Sequence, residues 1–448
     1  MKSIIISGIL LTSFAFSNIQ KAPENFNTKK DKAVFADFIN QITEIKYDIR
    51  SKEVLSTSRI KLQIFEEGKI LFDLKSNVLE AKINGVLVNT HLINSPGNVT
   101  SYNIVDKVLA PGIYELSIKN KITNNISFSR NSVQSAFWMS DLNDRRYLEN
   151  YIPSNLEYDQ YQLNLNISVI GKNISSHEVF TNGELSNLKK NQFQIKFPKT
   201  YSPSSYYMHL SSANKFKKIE FSYKSINKKV IPITIYSRNE WRLNRAKAKT
   251  LTTLKELERK LGPWEHKSFI AYIAGRGGME HSGATITSMS ALEHEITHSY
   301  FARGVMPSDG NSGWLDEAIA SWRDKGYKSV RLPSFNSSNM SGQSQYKRTT
   351  DRRAYKEGAE FMAFLNSELK NDGGLIVFLS YIYKKYVHKK INTKLFLSEL
   401  NSFSGRDYTT EFNQYIFGIS NVNSKESKVD HENPFHPKLT KKELLQLL

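Results

Sequence analysis

The 448-residue chain contains no cysteine. That excludes disulfides, thiolate metal sites, a cysteine nucleophile and a lipidated N-terminal cysteine together. Beyond the first residues, no stretch is long and apolar enough to span a bilayer, which needs roughly 20 residues. The formal net charge is +19, yet no dominant basic block and no nucleic-acid motif accompany it, so nucleic acid is not an expected partner. The scattered Lys and Arg favour weak attraction to anionic surfaces, or else form only a soluble basic surface. There is no internal repeat.

What is present begins with Met1-Lys2, an apolar run over 4–16, and Ala15-Phe16-Ser17 ahead of a polar stretch. This is the pattern of a secretory signal peptide over 1–17, and the run is too short for a membrane anchor. The expected address is the bacterial periplasm or the extracellular space, with no transmembrane anchor after cleavage. An exported chain without disulfides rests on its core and on any bound metal. Hydrophobic residues at 39% and aromatics at 12% suffice to fill a core, and the length predicts two domains.

From about Ile45 to Tyr236, short β-branched and aromatic runs alternate with Asn, Gly, Ser and Pro, which predicts an N-terminal antiparallel β domain over 18–236. The clearest strand is 161–169, apolar at every odd position. Pro111-Gly112 and Asn182-Gly183 mark turns. After Tyr236 the period becomes helical, with Leu251, Leu254, Leu257 and Leu261 stopped by Gly262-Pro263. A second, mostly helical domain is therefore expected over 237–423, making the fold class α+β. Within it, 268–274 reads as a strand. Helices are expected over 289–301, from Trp314, and over 354–369, 375–386 and 393–400, with a Ser/Asn-rich loop at 333–350. Residues 424–448 read as a linker and a short C-terminal helix.

His294-Glu295-Ile296-Thr297-His298 places two imidazoles four residues apart on one helix face, where both can reach one zinc ion. A hydrolytic zinc site takes three protein ligands and keeps one open position. Glu317, eighteen residues beyond His298 and flanked by apolar residues on a second expected helix, is the candidate third ligand; the competing reading is a solvated carboxylate. Glu295, next to a ligand, is placed to take the proton of an attacking water and pass it to a leaving amine. Asp324 lies seven residues after Glu317, on the same helix face, and can orient a ligand imidazole. An exposed charge is the alternative there. His281 reads as a structural histidine, the alternative being one that approaches the substrate.

HEITH, the eighteen-residue gap and Trp314-Leu-Asp-Glu-Ala318 resemble the zinc signature of the gluzincins, in particular the aminopeptidase N family, whose last element is typically WLNEG. Gly277-Gly278-Met279-Glu280-His281 resembles that family's GxMEN exopeptidase motif, its final His nearer to the GGLEH of glycyl aminopeptidases. Tyr355-Lys356-Glu357-Gly358 resembles the YEKG element. The likeness spans residues 45–418 and is strongest over 272–365, with weaker echoes at 140–148 and 204–209. It implies a saddle-like β domain followed by a thermolysin-like zinc peptidase domain. It also implies one zinc ion per chain, held by His294, His298 and Glu317. Glu280 would bind the substrate's α-amine, with Gly277, Gly278 and Met279 lining the substrate, and Tyr355 would complete the oxyanion hole. The implied substrate is a peptide or protein with a free N-terminus.

The pattern departs from that family in places. Asp316 replaces the usual Asn, and the intervals Glu280 to His294 and Glu317 to Tyr355 are short. The chain ends soon after the zinc domain, from which a more open cleft is expected. A zinc endopeptidase and a catalytically silent binding protein therefore stand as alternatives to the aminopeptidase.

Overall fold

The computed structural model describes residues 23–29, 31–137, 150–155, 159–275, 277–342, 344–346 and 350–419. The expected signal peptide (1–17), the weak echo at 140–148 and the expected linker and C-terminal helix (424–448) lie outside them. Among the described residues the chain is α+β, with a strand-rich N-terminal half and seven α-helices, all after residue 242. None of these helices is long and apolar enough to cross a membrane.

The N-terminal half is built on an eight-stranded sheet whose central strands are Asp37–Asp48, Glu53–Ile64, Gly112–Ile122 and Gln162–Ile170. In Gln162–Ile170 the odd positions Leu163, Leu165, Ile167 and Val169 are buried and the even ones only partly so, as the alternation predicts. The sheet is not purely antiparallel. Gln162–Ile170 runs parallel to Asp37–Asp48, and in a five-stranded neighbour Lys32–Phe35 runs parallel to Gly68–Phe72. Parallel partners are distant in sequence, and no local turn signal announces them.

A second five-stranded sheet has the order Lys217–Lys224, Val230–Ser237, Phe269–Ile273, Ala284–Thr287, Gly278–His281. Its first two strands form a hairpin that is joined to Phe269–Ile273 by parallel pairing. The change of period at Ser237 thus falls inside this sheet, and the hairpin of 217–237 goes with the helices. Helix α1 (Leu243–Leu261) packs on the sheet through Leu254, Leu257 and Leu261. The remaining helices are α2 (Leu292–His298), α3 (Trp314–Asp324), α4 (Glu357–Glu368), α5 (Leu375–Tyr386), α6 (Thr393–Ser404) and α7 (Thr409–Tyr415).

The two halves meet through an aromatic cluster. Phe180 stacks on Tyr236 at 3.8 Å between ring centroids, and Tyr236 stacks on Tyr272 at 4.9 Å. His209, fully buried, lies against Phe216 and Tyr272, and its Nδ1 is 2.9 Å from the Tyr236 hydroxyl. A polar pair is tolerated here because its members satisfy each other.

Three buried histidines make this fold sensitive to acid. Burial pushes His209 and His281 down to about 3 and His266 down to about 4, from an ordinary 6.5. Below pH 6.5 the unfolded chain binds protons that the folded one refuses until about pH 4 (His266) or 3. Stability therefore falls with pH across that window, by up to about 1.4 kcal/mol per pH unit for each group. Comparing urea unfolding of the wild type and His209→Gln at pH 6.0, 5.5 and 5.0 isolates this contribution, which the variant is expected to remove as roughly one proton's worth of slope. An unchanged slope in the variant would contradict the assignment.

Candidate metal and catalytic site

Helix α2 is shorter than the expected 289–301. It ends at His298 because the chain tightens and then reverses: Tyr300 N donates to Thr297 O at 2.9 Å, Ala302 takes φ 127°, and Arg303 N returns to His298 O at 2.9 Å. The Ser288 hydroxyl, accepting from Ala291 N at 3.1 Å, sets its start. Helix α3 packs against both α2 and α4. Trp314 fixes it by donating to the Thr393 hydroxyl at 3.0 Å, and Trp322 by donating to Lys328 O at 2.8 Å.

That packing sets Glu317 against both imidazoles. Its Oε2 lies 3.2 Å from His294 Nε2 and 3.5 Å from His298 Nε2, with all three side chains buried. A tetrahedral ion with bonds of about 2.1 Å separates its ligand atoms by about 3.4 Å, so the spacing suits zinc. Asp324, one heptad along α3 from Glu317, brings Oδ2 to 2.6 Å from His294 Nδ1. A proton on Nδ1 directs the lone pair of Nε2 toward the shared gap, the arrangement by which carboxylates orient metal-binding imidazoles. His298 Nδ1 is 3.3 Å from Phe301 O, to the same effect. The donor set and its supports fit one zinc ion.

The charges in this gap are strongly coupled. Burial alone would lower the His294 imidazole, but the Asp324 and Glu317 carboxylates outweigh it and hold the group well above its ordinary value. His298 rises to about 9 when the Glu317 carboxylate overcomes the same burial. Burial would raise Glu317, yet His298 and His294 hold it well below the usual carboxylate range. Asp316, beside them, is pushed up to about 7 by burial and by Glu317.

Glu295 is buried at the edge of the cluster, and burial pushes its carboxyl up to about 8 against the pull of the two imidazoles. Among the described residues its Oε2 has no hydrogen-bond partner, as expected of a group whose partner is a water or a substrate. Gly278 is what lets it sit there: a Cβ at 278 would overlap the Glu295 carboxylate. Gly278–His281 is an edge strand of its sheet, with Glu280 opposite Thr285. Glu280, Glu295 and His298 have ligand atoms within 4.8 Å of one another, so Glu280 faces the same gap.

Strand alternation divides the remaining motif residues. Gly278 and Glu280 face the gap, whereas Met279 turns into the aromatic junction with Tyr236 and Tyr272 and is 7% exposed. The Met279 side chain thus packs in the core, which leaves its backbone for the substrate contact implied by its motif. His281, on the same face, is buried against Tyr207 at 5.2 Å between rings, in keeping with a structural role. Gly277 supplies a turn at φ 66°.

Tyr355 ends the short 3-10 turn Arg352–Tyr355, and its hydroxyl donates to Glu317 Oε1. Burial and then the Glu317 charge push the phenol well above its ordinary value, which keeps it a donor. Gly358 lets α4 come close enough to hold this turn in place: a Cβ there would lie 2.9 Å from Ala318 Cβ. Two further residues contribute whose roles the sequence does not assign. Arg303 bonds Glu280 Oε1 through Nη2 at 2.8 Å, and Ser204 accepts from Arg303 Nη1 at 2.6 Å. Ser204 opens the weakly similar stretch 204–209, whereas Arg303 is marked only as a lone cation within Tyr-Phe-Ala-Arg-Gly-Val-Met.

No family model matches the chain, and no curated protein sequence does. Its fold is similar to that of solved zinc peptidases. Yeast LTA4 hydrolase aligns with a TM-score of 0.61 and 13% identity over 87% of this chain and 69% of its own. An M1 zinc metallopeptidase from Deinococcus radiodurans aligns at 0.60 and 15%, over 82% and 90%. Aminopeptidase A of Legionella pneumophila aligns at 0.63 and 12%, over 88% of this chain and 50% of its own. At such identities the likeness is one of fold.

If Asp324 orients His294, Asp324→Ala should weaken zinc affinity by about 10- to 100-fold with the fold intact. Competition with a chromophoric chelator measures this, and an unchanged affinity would remove Asp324 from the site.

Proposed function

We propose that the chain is an exported zinc aminopeptidase that hydrolyses the N-terminal peptide bond of peptides and proteins. The observation that carries the reading is the convergence of His294, His298 and Glu317 with Glu295 and an edge-strand Glu280 in one buried gap. The fold of the M1 peptidases supports it, and the Deinococcus enzyme has been solved with a Tyr-Ser-Ala substrate. Export rests on residues 1–17 alone. The thermolysin-like character of the second domain and the saddle-like character of the first belong to the same proposal, with the hairpin of 217–237 assigned to the second.

Zinc, when bound by His294, His298 and Glu317, lowers the pKa of water and polarises a carbonyl. The chain's own residues divide the remaining work. Glu280 accepts the substrate's α-ammonium and so fixes how far the N-terminus enters. Glu295, whose raised carboxyl would be drawn back to the ionised form by a cation at the neighbouring ligands, takes a proton from the attacking water and delivers it to the departing amine. Tyr355, kept protonated, donates to the oxygen on which negative charge develops. Gly278, having no side chain, leaves Glu295 room beside the bound backbone.

The Arg303–Glu280 ion pair favours one second reading, a zinc endopeptidase in which Glu280 is structural. A silent binding role would require neither the donor set nor the unpartnered carboxylate oxygen of Glu295. Alanyl-aminomethylcoumarin and its N-acetyl derivative separate the three. The free amine is expected to be cleaved at least about 100-fold faster. Chelator should abolish the activity, and Glu295→Gln should lower it by about 10²- to 10⁴-fold. Cleavage of the blocked substrate alone would sink the aminopeptidase reading. Failure of chelator and of Glu295→Gln to change any hydrolysis would sink the enzyme.

A further inference from the structure

We propose that Arg303 is a positioning residue for substrate recognition: its guanidinium, held by Ser204 of the N-terminal half, fixes one oxygen of Glu280 and leaves the other to accept the α-ammonium. The inference rests on the aminopeptidase reading.

The contact is sealed from solvent, with side-chain exposures of 2% for Arg303 and 6% for Glu280. A carboxylate carries two acceptor oxygens, and Arg303 Nη2 takes Oε1 at 2.8 Å. With one oxygen anchored, the carboxylate cannot rotate freely, so its remaining acceptor holds a fixed direction. Anchoring one member of a recognition pair in advance removes an ordering cost from each binding event. Truncating Arg303 would leave a buried carboxylate without compensation.

The surrounding backbone is shaped for this one side chain. The reversal after α2 places the non-glycine Ala302 at φ 127°, a costly conformation that persists only where its surroundings enforce it. Ala302 N is tied to Val305 O at 3.0 Å and Arg303 N to His298 O at 2.9 Å, so the Arg303 backbone is tied to that of the second histidine of α2. Gly304 follows where any Cβ would meet Ser299 O and Tyr300 O at 2.6 Å. On its far side Arg303 donates to Ser204, itself fully buried and 3.0 Å from the Ser202 hydroxyl. Through this chain of contacts the N-terminal half takes part in setting where the amine binds.

The test uses the full, zinc-loaded chain. Arg303→Met, Arg303→Lys, Ser204→Ala, Glu280→Gln and the Arg303→Met/Glu280→Gln double variant are compared for zinc content, circular dichroism, hydrolysis of alanyl-aminomethylcoumarin and calorimetric binding of L-alaninamide. Arg303→Met is expected to raise KM and the L-alaninamide Kd by about tenfold, with kcat within about threefold and zinc content unchanged. Arg303→Lys should recover part of the loss, and the double variant should be no worse than Glu280→Gln alone. If Arg303→Met does not fold, Ser204→Ala carries the test, with a KM rise of about two- to threefold expected. Wild-type values in the folded variants, a fall in kcat at unchanged KM, or additive losses in the double variant would each overturn the proposal. Should wild type cleave only the N-acetyl substrate and bind no L-alaninamide, the aminopeptidase reading falls and takes this inference with it. A fully active wild type with an indifferent Arg303 overturns the inference alone.

Discussion

Placing two imidazoles and a carboxylate together away from water is costly unless each finds an opposite charge and a hydrogen bond, and much of the second half of this protein is arranged to supply them. Helix α2 presents His294 and His298 on one face, and α3 sets Glu317 within 3.5 Å of both. Asp324 reaches back along α3 to the outer nitrogen of His294, and Phe301 O does the same for His298. The turn bearing Tyr355 closes over the other Glu317 oxygen. Remove the α2–α3 contact and the pairings of Glu317 and Asp324 with the imidazoles are lost. Two tryptophan hydrogen bonds and a close α3–α4 approach at Gly358 defend it.

The N-terminal half does more than attach to this arrangement. Its aromatic junction, with Phe180, Tyr236 and Tyr272 stacked in series, fixes the sheet whose edge strand carries Glu280. Because side chains alternate along that strand, one short segment serves both purposes: Met279 and His281 anchor it in the junction while Gly278 and Glu280 face the gap. Ser204 adds a polar tie to the same strand through Arg303. On the proposed reading, recognition and assembly of the two halves are mechanically linked.

What the sequence discloses follows the range of the interaction involved. The histidine pair and the spacing of Asp324 from Glu317 depend on helical periodicity, which is local, whereas Glu317 as the partner of the histidines is expected from the eighteen-residue gap and its apolar flanks. The alternation of Gln162–Ile170 is local too. The strand period also carried a warning about Met279, since a residue between Gly278 and Glu280 must point away from them. Other features depend on partners far along the chain. Pairing of Val230–Ser237 with Phe269–Ile273 draws the hairpin of 217–237 into the second sheet, although its composition matches the strands before it. The early end of α2 follows from the reversal at Ala302, which propensity gives no reason to expect. Arg303 finds Glu280 and Ser204 at separations of 23 and 99 residues, so only the assembled fold brings them together.

On the proposed reading, His294, His298 and Glu317 together hold one zinc ion. Elemental analysis combined with zinc K-edge absorption on the purified chain tests it most directly. One zinc per chain is predicted, with two imidazole nitrogens at about 2.0–2.1 Å among nitrogen and oxygen ligands and no sulfur. Glu317→Ala should lose the metal or alter that shell. A chain that binds no zinc, or a Glu317→Ala variant with an unchanged shell, would contradict the account.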